Sequence, residues 1–141
     1  MMSQIKASVA RYAPASTDKR ALQWARLAQL DASLSALVAL EHDYIESWME
    51  GHDDGIGASV LKVRGTELLQ EMTEFWRDVL GPYGACYDPV LRKGGGGLAA
   101  DQPWVQAASI NYAYLYGRCW SIFGGTNEVQ RNIIAATLLR G

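Results

Sequence analysis

The residues best equipped for chemistry stand in one run near the C-terminus, Ser121-Ile-Phe-Gly-Gly-Thr-Asn-Glu-Val-Gln130. Adjacent Gly124 and Gly125 break the apolar segment before them, because paired glycines admit positive φ and let a ligand or a second backbone come close. Thr126 or Asn127 can then cap a new helix. With Asn127 as the cap, Gln130 falls where it can bond back to the cap's own N–H, and Glu128 places negative charge in the positive first turn. The chemistry on offer is binding, since free N–H groups at a helix start hold anionic or acceptor atoms. Capping alone would call for the same residue types, so a purely structural role stays open. Val129, Ile133 and Thr137, with Ile134 and Leu138, give the helix an apolar stripe.

Other polar clusters promise less. His42, Asp43, His52, Asp53 and Asp54 gather near one turn, but their spacing fits no metal template, and both histidines read as surface residues. Arg92-Lys-Gly-Gly-Gly-Gly97 imitates a phosphate loop without the preceding strand or the Lys-Ser/Thr continuation, which leaves a flexible connection. Cys86 and Cys119 lack metal-type spacing and read as two reduced thiols.

The elements that must position the C-terminal run are helical. Residues 1–16 read as a tail or a helix remnant, and Ala15-Ser-Thr-Asp18 offers caps for a long helix. In it Leu27, Leu30, Leu34, Leu37, Tyr44 and Trp48 repeat at spacings of three and four. Glu41 falls on that seam, as a buried carboxylate or as the mark of a rotation that brings Leu40 inward. Gly51-His-Asp-Asp-Gly-Ile-Gly57 is a turn between antiparallel helices. The next helix carries Leu61, Leu68, Met72, Phe75 and Val79 inward, with Gly65 where helices approach closely; Lys62, Arg64, Glu67, Glu71 and Glu74 read as solvated charge. Leu80-Gly-Pro-Tyr-Gly84 ends that helix, and Pro103 opens another whose expected inner face is Val105, Ala108, Tyr112 or Ala113, Leu115 and Cys119. Its tyrosines and Trp120 read mainly as core, with one or two free to line a pocket. The expectation is an all-α, up-down four-helix bundle occupying residues 1–141 as one domain.

Composition narrows the partners. A chain of 141 residues is long enough to bury roughly 68–70% of its unfolded surface. A net charge of −2 with mixed signs argues against nucleic acid and against a basic membrane patch. No apolar run approaches a membrane span and the N-terminus lacks a signal-peptide core, so a cytoplasmic protein is expected. Tryptophans at 24, 48, 76, 104 and 120 exceed what one small core hides, which points to an oligomer.

The fourteen residues Ile122-Phe-Gly-Gly-Thr-Asn-Glu-Val-Gln-Arg-Asn-Ile-Ile-Ala135 resemble the C-terminal signature of flavin-dependent acyl-CoA dehydrogenases. Ser59-Val-Leu-Lys-Val-Arg-Gly-Thr-Glu-Leu-Leu-Gln70 and Val79-Leu-Gly-Pro-Tyr-Gly84 look like helix and turn segments of one bacterial branch. The resemblance covers about the whole chain, which corresponds to the last third of a usual member. It implies a part in fatty acid metabolism: α,β-oxidation of an acyl-CoA thioester, with a carboxylate taking the α-proton and the β-hydrogen leaving as hydride to FAD. It implies further that Gly125, Thr126 and Glu128, and secondarily Asn127 and Gln130, face the flavin. The implied partners are acyl-CoA, the N-terminal and middle domains of a longer parent or a larger flavoprotein subunit, and further copies in a homo- or hetero-oligomer. In the family the turn matching Leu80–Gly84 lies near a neighbouring subunit's flavin, but the usual glutamine and paired glycines are not reproduced here. Where many members carry the catalytic glutamate this chain has Gly124, so it is expected to be inactive alone, with FAD shared with domains or subunits outside it. The alternative is a helical oligomerisation module that binds no flavin.

Overall fold

A computed structural model describes residues 1–12, 14–52, 55–92 and 102–139. Among them are six α-helices and no strand: α1 (Met2–Arg11), α2 (Thr17–Met49), α3 (Gly57–Val79), α4 (Pro89–Arg92), α5 (Pro103–Gly117) and α6 (Asn127–Leu138). Short 3₁₀ turns, Gly81–Ala85 and Arg118–Ser121, follow α3 and α5. The protein is therefore all-α, as the periodicity requires, with α2, α3, α5 and α6 as its four long members. Asp53, Asp54 and most of the Arg92–Gly97 run lie outside the described residues.

The hub is α3, against which α1, α2, α5 and α6 all lie. Arg26 with Glu71 and Leu37 beside Gly65 set α2 antiparallel to it, and Gln70 bonding Gly117 with Arg77 over Tyr114 does the same for α5. By contrast, among the described residues α6 packs substantially on α3 alone. The core collects Ile5 and Val9 of α1, Leu27 and Leu30 of α2, Met72, Phe75, Trp76 and Val79 of α3, and Ala107 and Ile110 of α5. Each large side chain fully buried there contributes roughly 1.5–3 kcal/mol.

Of the two readings of the N-terminal segment the helix is observed: α1 enters the core, and Ser8 ties it there, with Trp76 Nε1 donating to Ser8 Oγ at 2.9 Å and Ser8 donating to Gln106 Oε1 at 3.1 Å. Other expectations need correction. The α2 seam is deep only at Leu27 and Leu30; Trp48 is 60% exposed and Glu41 lies on the surface, so no buried carboxylate arises. On α3 a Cβ at Gly65 would sit an ordinary 3.8 Å from Leu37, and the close approach lies at Gly57, whose missing Cβ would run into the Tyr44 ring. The buried face of α5 is Ala107, Ala108, Ile110, Asn111 and Gly117, while Tyr112 and Leu115 are exposed. Small residues let α5 lie close to α3, which turns the bulky ones outward.

Candidate functional site

The candidate site is the start of α6. Gly124 and Gly125 take φ of +67° and +91°, the left-handed region that glycine enters freely, and both are exposed. A Cβ at Gly124 would meet nothing within 4 Å, whereas one at Gly125 would stand 2.7 Å from Gln130 Nε2. Thr126, in extended backbone at φ −64° and ψ 158°, is the cap: its hydroxyl oxygen accepts from the Val129 N–H at 3.3 Å. Asn127 is thus the first helical residue rather than the cap. Gln130 reaches back past the cap and donates to the Gly124 carbonyl at 3.0 Å, closing the turn on itself.

Each motif residue has a distinct setting. Asn127 is buried, 6% exposed, with its amide turned toward α3. Lys62 Nζ donates to Asn127 Oδ1 at 2.6 Å, and Asn127 Nδ2 donates to Thr66 Oγ1 at 3.2 Å. Glu128 is solvent-exposed; its own backbone N–H, then the Thr126 hydroxyl, hold its carboxyl below the usual glutamate range against an opposing desolvation, with Arg131 and Lys62 adding lesser favourable charge. Arg131 pairs with Glu67 on α3. Around this start Ile122 is 61% and Phe123 54% exposed, and Val129 is also uncovered. Phe123 and Trp120 both lie edge-on to Tyr116, which stacks on Tyr112 at 5.7 Å.

Exposed left-handed glycines beside uncovered apolar side chains leave the backbone open to close approach by a ligand or a second chain. A further anion fits less well, because the Glu128 carboxylate already lies over its own N–H at the positive end of α6. Nothing in the run offers a proton acceptor at Gly124. Lys62 was the residue that charge patterning missed: read as solvated, it is half-buried and points into the site, and only its one-turn spacing from Thr66 hinted at a shared face.

The second glycine turn is built differently. Gly84 is buried, its missing Cβ would strike the Arg77 carbonyl, and Arg77 Nε donates to the Gly84 oxygen at 3.0 Å. A cleft of about 460 Å³ opens beside it, lined by Glu74, Arg77, Asp78 and Tyr114 among others. Among the described residues no three of His, Cys, Asp and Glu converge as metal ligands, and no helix is long and apolar enough to cross a membrane.

The described residues thus form an all-helical unit with a capped helix start behind an open diglycine turn. Its sequence matches the family described as acyl-CoA dehydrogenase, C-terminal domain, over residues 10–139, and the chain belongs to that family. Comparison with curated proteins and with solved structures gives no match.

Proposed function

We propose that the chain is the C-terminal helical domain, or a small subunit, of an acyl-CoA dehydrogenase-like flavoenzyme that oxidises the α,β-bond of an acyl-CoA thioester. In this role it forms part of the FAD and acyl pocket and part of the oligomer interface. The observation that carries the reading is the start of α6, where exposed Gly124 and Gly125 adjoin Thr126, Glu128 and the uncovered Ile122 and Phe123. Gly125, Thr126 and Glu128 would hold the flavin, with Asn127 fixing their place from behind. Bound flavin supplies a hydride acceptor. The α-proton needs a positioned carboxylate, typically worth about 10²–10⁴-fold, and Gly124 cannot provide one. The base therefore comes from outside these residues, in a longer parent or a partner subunit.

A second reading, an oligomerisation module without flavin, is favoured by one fact: the side chains of Thr126 and Asn127 already have partners within the chain. Flavin absorption separates the two. Prepared with its parent or larger subunit, the wild-type protein is expected to be yellow, and Thr126→Ala to lose flavin by more than its small drop in melting temperature explains. Equal flavin content in both proteins overturns the assignment of Thr126. Dehydrogenation by the isolated 141 residues with added flavin overturns the reading of Gly124.

A further inference from the structure

We propose that Lys62 is the positioning residue of the α6 start, a staple that fixes both ends of the diglycine turn from the neighbouring helix. Its ammonium donates to the Ser121 carbonyl at 3.1 Å, where the 3₁₀ turn ends, and to Asn127 Oδ1 at 2.6 Å, where α6 begins. Between those two points lie Ile122 to Thr126, including both left-handed glycines, the least constrained backbone in the motif. Thr66, one turn along α3, lies 3.2 Å from both amide atoms of Asn127, so its hydroxyl can accept from Nδ2 or donate to Oδ1, and Lys62 supplies the shorter, charged donor to that same Oδ1 at 2.6 Å.

A cation beside the start of a helix opposes the macrodipole, an effect the Glu128 carboxylate offsets, and both hydrogen-bond acceptors of Lys62 are neutral. What the ammonium gains there is two charge-assisted bonds that set the turn's register. Because among the described residues α6 rests substantially on α3 alone, no other described helix duplicates the constraint.

Hydrogen exchange on the 141-residue chain tests this, using Lys62→Met, which keeps the length and apolar stem but removes the ammonium, and Lys62→Arg, which keeps a cation. In Lys62→Met the amides of Phe123 to Gln130 are expected to exchange at least about tenfold faster, the equivalent of losing one hydrogen bond to a charged group. Exchange in α1 and the C-terminal half of α3 should stay unchanged, and Lys62→Arg should restore the protection. If Lys62→Met fails to fold, Lys62→Gln, which stays polar, is expected to show the same local loss. Wild-type exchange at Phe123 to Gln130 in the folded Met or Gln variant, or a change spread evenly over the chain, overturns the proposal. That the stapled turn faces flavin rests on the function proposed above. Flavin retention in the assembled flavoprotein tests that separately: local loosening with unchanged flavin supports the staple and removes the turn from the flavin site.

Discussion

The two ends of the α3 hub are finished to different degrees. At the end where α1 meets α3 and α5, Ile5, Val9, Leu30 and Thr73 are fully buried, and even the polar Ser8 is enclosed and doubly bonded. At the other end large apolar groups stay uncovered: Ile122 and Phe123 at the α6 start, and Trp48 with Met49 where α2 stops. The buried side chains there include Val63, but the hydrogen-bonded contacts centre on the polar Asn127. One end is thus held mainly by area removed from water, the other with a larger share of directed bonds. Directed bonds fix geometry while leaving surface free, which suits the end that the proposed function assigns to cofactor and partners.

The sharpest way to break the contrast is to damage each end and compare. Trp76→Ala, at the enclosed end, is expected to cost about 3–5 kcal/mol in denaturant unfolding, the range for deleting a buried tryptophan. Ser8→Ala leaves the Trp76 N–H without its acceptor and should cost about 1–3 kcal/mol by the same measurement. Smaller again is Ile133→Ser, on the uncovered face of α6, expected within about 0.5 kcal/mol of wild type in the isolated chain. A larger loss there would mean that α6 is covered by its own chain and that the contrast fails.

The smallest expected effect concerns acid. Because folding lowers the Glu128 pKa, its stabilising contribution is fully present above the ordinary glutamate range and is lost as pH falls through the depressed value. Amide resonances of Asn127 to Val129 should therefore shift as acid loosens the start of α6. The Glu128→Gln protein should lack that response.

Legibility in the sequence followed the same division. On α3, Leu68, Met72, Phe75 and Val79 could be read directly because apolar residues there alternate with charge, and burial then followed the pattern. On α5 the pattern failed, since alanine, tyrosine and leucine occupy every side of the helix and close approach to α3 chose the small residues. The stripe on α6 was legible as a pattern, yet Val129 and Ile133 remain exposed; periodicity says which residues share a face without saying what covers it. At the site, the cap and the glycine break were visible because backbone requirements select residue type. Lys62 was not, because a lysine that crosses to a neighbouring helix looks in sequence like one that points to water.

Tyr114 carries a consequence of another kind. Two guanidinium groups lie over its ring, that of Arg77 from α3 at 4.0 Å and that of Arg118, just after its own helix ends, at 4.2 Å. An aromatic ring shields protons held over its faces, so both arginines should give upfield side-chain resonances. The Arg77 signal reports whether the C-terminal part of α5 stays seated on α3, and the Arg118 signal whether the 3₁₀ turn leading to the motif keeps its place. The fold thus contains a built-in gauge, three residues wide, from which the seating of the motif can be read without labelling or altering the motif itself.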